Sequence, residues 1–449
     1  MIGIPRLARH AVWNLLGVAA PMLVALAAIP ALIGTLGIDR FGILTLAWML
    51  IGYCGLFDMG LGRALTKLVS EAFGAGESSE KRSGLASTIW TSLALMFAFG
   101  CGGALLLAGA SGPLANSALK VPIALQGETI AALRWIAVAI PVVTLTAGLR
   151  GILEAHQRFG SLSIVRALIG LLTFAGPLAA ARIWGSLSPV IVAIVLVRLL
   201  SLGAHLALCA SLTPDLFSDR RVRFGEIGPL FRFGGWLTVS NLISPLMVSM
   251  DRFLIGILLS VTQVAYYATP AEIIAKLQVI PAAITGVLFP AFSSSLASDG
   301  ARAKRLFTRG LCWVLAIVAP IAAMIVLLAH SGLRLWLGEE FASRAYRSLQ
   351  LLAIGALINS AANVATSFLH AAGRPDVSAK LQMIELPLYL PLVWWLVQGL
   401  GIEGAALAWV LRIAVDSALL LYIAVRSMPV ENSIQWEVAN AGSTATRAT

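Results

Sequence analysis

Continuous apolar stretches, each about as long as a bilayer is thick, recur along the whole of this chain. Barrel strands alternate apolar and polar residues over roughly ten positions, whereas a spanning helix needs about 20 mostly apolar residues. Only 12% of the residues are charged, so lipid rather than water is the expected solvent. We predict an all-α integral membrane protein with about 12 transmembrane helices, at residues 11–33, 42–68, 85–109, 128–149, 161–182, 189–211, 229–258, 263–292, 309–330, 346–371, 378–398 and 403–425.

The first half of the chain repeats, weakly but in order, in the second half. The paired markers are Trp13/Trp236, Pro21/Pro245, Ile33-Gly34/Ile255-Gly256, Lys81-Arg82/Lys304-Arg305, Arg158/Arg374 and Arg198/Arg412. Two similar membrane halves are typical of transporters whose lobes rock around a central site. We therefore predict two six-helix, pseudo-symmetric lobes. The N-lobe is residues 1–212, a cytoplasmic linker is 213–228, the C-lobe is 229–428, and 429–449 form a disordered cytoplasmic tail.

The net charge of +11 fits a membrane topology better than an affinity for nucleic acid. If both termini are cytoplasmic, most Lys and Arg residues fall on cytoplasmic segments, as the positive-inside rule requires. Basic loops also favour contact with anionic membrane lipids. The loops are short, with the longest outer one expected near 335–347, and no nucleotide-binding motif is recognisable. These features favour a transporter without a cofactor over a polymerase, a pump or another enzyme.

Charged residues inside the predicted spans are the candidates for function, because burying them in a bilayer is costly. Cations near a central path could bind an anionic group such as a phosphate, which arginine grips with two hydrogen bonds. These cations are Arg63, Lys67, Arg150, Arg198, Arg252, Lys276 and Arg412. The acids that could couple an ion or pair with a cation are Asp58, Asp251, Glu272, Glu385 and Asp416.

Each of these charges also has a structural interpretation. Glu272 and Lys276 are four residues apart, so they share a helix face and can pair. Arg412 has Asp416 one turn further on, whereas the equivalent Arg198 has no carboxylate nearby in its own helix. Snorkelling to the interface or an ion pair between helices would satisfy the same residues without any ligand.

Several short motifs, in order, resemble the polysaccharide transporter family. They include Asp58-Met-Gly-Leu-Gly, Asp251-Arg-Phe-Leu-Ile-Gly256, Leu335-Trp-Leu-Gly-Glu-Glu-Phe341 and Gly373-Arg374, and the resemblance covers roughly residues 10–425. That family comprises the O-antigen and exopolysaccharide flippases of the multidrug/oligosaccharidyl-lipid/polysaccharide (MOP) superfamily.

The resemblance implies a V-shaped central cavity, lined by helices 1, 2, 7 and 8, that opens to each side of the membrane in turn. It implies a flippase that moves undecaprenyl-diphosphate-linked oligosaccharides from the inner to the outer leaflet of the bacterial inner membrane, for O-antigen, capsule or exopolysaccharide. Arg63, Arg252 and Lys276 fall on the lining helices. Implied partners are the lipid-linked oligosaccharide and the polymerase and chain-length machinery, with H⁺ or Na⁺ as coupling ion. The alternative is a cation-coupled multidrug antiporter of the same superfamily.

Overall fold

The computed structural model of the protein describes residues 24–58, 61–62, 65–66, 68–69, 79–156, 159–212, 247, 250–298 and 300–428. Helices and short turns make up all of these ranges, and no strand occurs within them. The expected linker 213–228 and tail 429–449 lie outside the described residues, as do Arg63 and Lys67. The chain forms two compact units, residues 1–268 and 269–449.

The helices of the first unit follow one another with short connections. They are α1 (Val24–Leu36), α2 (Ile38–Tyr53, continued by the 3-10 turn Cys54–Asp58), α3 (Ser79–Pro113, continued by the π-helical turn Leu114–Ala118), α4 (Ile123–Ala155), α5 (Phe159–Trp184), α6 (Leu187–Leu212) and α7 (250–258). The next helix, α8 (Val261–Leu277), begins in this unit and ends in the second.

The second unit contains the remaining helices. They are α9 (Val279–Ser298), α10 (Gly300–Leu337), α11 (Glu339–Ala371) and α12 (Pro375–Arg426). Among the described residues, eight helices are long and apolar enough to cross a membrane, counting α8 and α9 as one. They coincide with the spans predicted from residue 85 to 211 and from 263 onward. The all-α membrane fold is therefore confirmed.

One helix forms the centre of each unit. In the first unit α4 packs against α2, α3, α5 and α6, and in the second α11 packs against α9, α10 and α12. In an apolar 18-residue stretch of each of these two helices, 61% of the residues are buried, whereas at most 39% are buried in the corresponding stretches of the other spanning helices. These are the fourth predicted spans of the two halves, so the sequence repeat is reflected in the packing. Large side chains such as Leu105, Leu327 and Trp395 point outward and are exposed, as lipid contact requires.

The expected outer loop near 335–347 is wrong. Helix α10 continues to Leu337 and α11 starts at Glu339, so the connection is Gly338 alone, whose φ of 89° suits glycine. The acid Glu339 opens α11 and lies 3.4 Å from His330 and 3.7 Å from Arg334 in the last turns of α10. An acid at the start of a helix and bases near the end of a helix stabilise these ends, so both helices extend into the charged region. A prediction from continuous apolar sequence ends each helix where the charges begin.

Helix α12 contains two predicted spans joined at a sharp break. Gly401 has φ 63° and ψ −140°, which is not helical and is accessible to glycine. Residues on opposite sides of Gly401 meet across the two halves. Gly404 touches the Leu396 carbonyl, and the Arg374 guanidinium donates to the Ser427 hydroxyl at 3.0 Å. The two halves therefore form an antiparallel hairpin, which brings distant charges of the sequence together.

Candidate functional site

The first unit contains a guanidinium that has no acidic partner among the described residues. Arg198 lies in the middle of α6 and is half-buried. Its Nε is buried and has no hydrogen-bond partner in the same part of the chain. Since an uncompensated cation is costly inside a membrane, Arg198 is a candidate site for an anion.

Asp251 and Arg252 are adjacent in α7 but do not serve as a simple ion pair. Asp251 is buried and accepts hydrogen bonds from the Tyr267 hydroxyl of α8 and, at 2.7 Å, from the backbone N–H of Arg252. The carboxylate thus ties α7 to α8. Arg252 is half-buried beside it.

Two other predicted charges of this unit, Asp58 and Arg150, lie at helix ends. Asp58 ends the turn after α2 and is half-buried. Arg150, near the end of α4, pairs with Glu154 one turn further on at 3.6 Å, with both side chains well exposed. Exposed pairs of this kind contribute little to stability. Arg150 is therefore paired only loosely at the end of the helix.

A charged layer that the sequence did not single out joins the starts of three helices in this unit. Arg40 of α2 makes two hydrogen bonds to Glu128 of α4, from Nε at 2.8 Å and from Nη2 at 2.7 Å. The backbone N–H of Leu187, at the start of α6, donates to the same carboxylate at 3.3 Å. Two-point arginine–carboxylate pairs are among the stronger polar contacts. Glu128 therefore holds α2, α4 and α6 together at one end.

The α7–α8 corner, where α7 ends and α8 begins (residues 258–262), is attached to this same end of the unit. Thr262 of α8 donates to Asp39 at 2.6 Å, and Lys120 donates from its ammonium to the Leu258 carbonyl, also at 2.6 Å. Gly42 of α2 approaches the Val261 carbonyl so closely that a Cβ atom there would overlap it. Residues 250–268 are thus fixed to α2 and to the segment before α4 by hydrogen bonds and close backbone contact.

In the second unit, Lys276 and Glu272 pair along α8 as the spacing predicts, at 4.0 Å, and both remain about half exposed. Just beyond them, Gln278 lies between α8 and α9. Its amide donates to the Ala356 carbonyl at 3.0 Å and accepts from Asn359 and Asn363 of α11 at 3.2 and 3.3 Å. This amide cluster ties the α8–α9 junction to the central helix of the unit.

The other predicted charges of the second unit form one cluster in the α12 hairpin. Arg412 donates from Nη1 to Glu385 Oε2 at 3.4 Å, with the side chains 11% and 10% exposed. The guanidinium also lies over the Tyr389 ring, 5.2 Å from its centre. The Asp416 carboxyl lies within hydrogen-bonding reach of Glu385. Arg412 is thus neutralised across the hairpin, unlike Arg198 at the equivalent position of the first half.

Two groups of contacts were missed by sequence reasoning. Asp39, Arg40 and Lys120 lie between predicted spans and Glu128 is the first residue of one, positions where charges are usually solvated, so the sequence around them did not indicate their partners. The amides around Gln278 carry no charge and so escaped a search for embedded charges. A search for polar residues at the starts of successive spans would have found the first group.

The chain matches the model of a known protein family. Residues 35–346 match the family described as "Polysaccharide biosynthesis protein".

Individual relatives agree with that match. A Shigella flexneri protein named as an O-antigen transporter is 32% identical over 94% of this chain and 98% of its own length. The lipopolysaccharide biosynthesis protein WzxC of Escherichia coli is 26% identical over 45% of this chain and 41% of its own. A Haloferax volcanii protein named as a low-salt glycan biosynthesis flippase is 25% identical over 48% and 46%.

Solved structures share the fold. An inward-facing multidrug resistance MATE family transporter of the MOP superfamily superposes with a TM-score of 0.72, at 14% identity, over 92% of this chain and 98% of its own. A Vibrio cholerae MATE transporter gives 0.63 at 18% identity, over 95% and 97%. At these identities the likeness establishes a MATE-like fold and nothing about the substrate.

Proposed function

Since this chain belongs to the family of polysaccharide biosynthesis proteins and has the fold of the MOP transporters, we propose that it flips a lipid-linked oligosaccharide across the bacterial inner membrane. The chain is a multi-pass membrane protein of the polysaccharide flippase type, and its relatives are named as a transporter and a flippase rather than as enzymes. The observation that carries the proposal is the similarity to an O-antigen transporter over 94% of the chain. The substrate is an undecaprenyl-diphosphate-linked repeat unit for O-antigen, capsule or exopolysaccharide.

The diphosphate of that substrate needs a cation that is not already neutralised. Lys276 and Arg412 have acidic partners, and Arg150 has a loose one. Arg198 has none among the described residues, which supports it as the principal phosphate-binding group of the first unit. Arg252, Arg63 and Lys67 are further cations of the proposed binding path. A guanidinium can hold a phosphate with two hydrogen bonds, each about 1.5–3 kcal/mol when charge-assisted.

Transport proceeds by alternating access of an N-lobe (1–212) and a C-lobe (229–428), joined by the linker 213–228. Both termini, including the tail 429–449, lie in the cytoplasm. The starts of α2, α4, α6 and α8 then share the outer side, so the layer built on Glu128 and the α7–α8 corner forms the outer end of the first unit.

The glycan polymerase and the chain-length machinery receive the product, and an H⁺ or Na⁺ gradient drives the cycle.

The test is the sidedness of lipid-linked glycan in cells depleted of the protein and complemented with variants. Wild type restores export, whereas Arg198→Met lowers it at least about tenfold, because one charge-assisted contact to phosphate is lost. Arg198→Met also raises the thermal midpoint of the purified protein, since it removes an uncompensated charge from the membrane. Arg182→Met, at an exposed arginine in the last turn of α5, is the matched control and changes neither property.

Two outcomes would contradict this proposal. Glycan export that is untouched by depletion refutes the flippase, and loss of drug resistance in the same cells would favour the multidrug antiporter. If Arg198→Met lowers both export and thermal midpoint, Arg198 is a structural tie and the phosphate site is wrong.

A further inference from the structure

The α12 hairpin holds two carboxyl groups and one guanidinium in a nearly buried cluster. Glu385 comes from the first half of the hairpin, whereas Arg412 and Asp416 come from the second. Glu385 is nine-tenths buried, and the Arg412 side chain is 11% exposed. The cluster therefore has one positive group for two acidic groups, in surroundings that screen charge poorly.

The oxygens of Glu385 do not have equal partners. Oε2 accepts from Arg412 at 3.4 Å, whereas Oε1 is buried and makes no hydrogen bond within the described part of the chain. The neighbouring group within hydrogen-bonding reach is the Asp416 carboxyl, which offers only acceptors when it is ionised. Two carboxyl groups within hydrogen-bonding reach of each other can form a hydrogen bond when one of them carries a proton. Like charges that share a buried site cannot both stay ionised.

Among the described residues, no further positively charged group is packed against the cluster. The helix packed against α12 is α11, and between Arg347 and His370 its sequence contains no ionisable residue. Within α12 itself, the ionisable group beside the pair, apart from Arg412, is the Tyr389 phenol, whose ring lies under the guanidinium. The described surroundings thus leave the carboxyl pair one positive charge short.

We propose that Glu385 and Asp416 together bind one exchangeable proton, and that this carboxyl pair is the site through which a proton gradient drives transport. The proton bonds to a carboxyl oxygen in one state and leaves to water in the other, with no other bond changed. Arg412 is a positioning residue: its contact with Glu385 occupies Oε2, and Oε1 has no hydrogen-bond partner among the described residues. The coupling role rests on the proposed flippase function, whereas the proton site does not.

The first measurement is therefore independent of transport. Infrared difference spectra of the purified, reconstituted protein are recorded as the pH is raised. Wild type shows a protonated-carboxyl band that disappears on raising the pH. Glu385→Gln and Asp416→Asn each abolish it, because both residues share a single proton. Glu403→Gln, a carboxylate of the same helix that pairs with Arg347 on the surface, leaves the band intact. A band that survives both substitutions, or is absent from wild type, overturns the proton site.

The second measurement tests coupling in proteoliposomes loaded with a lipid diphosphate-linked oligosaccharide. With one proton per cycle, a gradient of one pH unit shifts the distribution of the lipid between leaflets about tenfold in wild type. Glu385→Gln still equilibrates the lipid between leaflets but shows no shift with the gradient. If a Na⁺ gradient at constant pH drives wild type instead, proton coupling is wrong. If wild type does not flip the lipid while the infrared band titrates, the flippase proposal fails and the proton site stands.

Discussion

A close backbone approach between α2 and α8 predicts opposite effects for two glycine substitutions on one helix. Gly42 of α2 faces the Val261 carbonyl at the start of α8, and an added Cβ would overlap that oxygen. Gly52, further along α2, has open space where its Cβ would be. Gly42→Ala therefore forces the two helices apart, whereas Gly52→Ala only adds a methyl group and removes backbone freedom from the unfolded chain.

The magnitudes follow from these two environments. Overpacking against a backbone atom costs about 1–3 kcal/mol. Replacing a helical glycine by alanine gains about 0.5–1 kcal/mol at either position. We expect Gly42→Ala to be destabilising by up to about 2.5 kcal/mol, the difference between these two effects. Gly52→Ala should be neutral or slightly stabilising. At about 2–4 °C per kcal/mol for a unit of this size, the two variants should differ by several degrees.

The assay is thermal unfolding of detergent-purified protein, followed by the loss of the monodisperse peak in fluorescence-detected size exclusion. Both variants are measured beside wild type at matched protein and detergent concentrations. Equal midpoints for Gly42→Ala and Gly52→Ala would refute the close contact between α2 and the start of α8. A larger loss for Gly52→Ala would show that helix packing in this unit differs from that described.

Two further predictions concern polar contacts that the sequence did not reveal. In a double-mutant cycle of Arg40→Met and Glu128→Gln, the coupling free energy should be about 1–2 kcal/mol. This exceeds the value for surface pairs because the two side chains are only 32% and 27% exposed. If the stability losses of the two single variants simply add, the pair contributes nothing. Gln278→Leu should lower stability by about 1–3 kcal/mol, because it leaves the amides of Asn359 and Asn363 without their acceptor. Its control is Gln398→Leu at an exposed position of α12, and an equal effect of the two would contradict the amide cluster.

The positions of the spans were predictable because a lipid-facing helix must be apolar along its whole membrane depth. The stretch between 378 and 425 illustrates this: a break was predicted between 398 and 403, and Gly401 provides it. The single-residue connection at Gly338 was not predictable in the same way. There the helices continue past the apolar run with charged residues that pair with each other. Hydropathy predicts which segments lie in the membrane, but it does not predict where helices end once they extend beyond the membrane.

The partners of the embedded charges were only partly predictable. Glu272 and Lys276 pair within one helix, so their spacing sufficed. Arg412 was expected to rely on Asp416 one turn away, but its contact with Glu385 depends on how the chain folds back at Gly401. Arg198 occupies the same place in the sequence repeat and has no such acid among the described residues.

The sequence by itself determined that the chain lies in a lipid membrane, that it is helical, and that its spans repeat in order. Each of these follows from the residue composition of segments about 20 residues long. It could not determine which charges are neutralised, because that depends on atoms tens to hundreds of residues apart meeting within about 4 Å. The tertiary structure decided that Glu128 joins three helices, that Glu385 binds the Arg412 guanidinium across the hairpin, and that Arg198 has no acidic partner in the described ranges. Electrostatic energy falls off over a few ångströms, so the equivalent arginines of the two halves differ in chemistry although the sequence repeat gives them the same position.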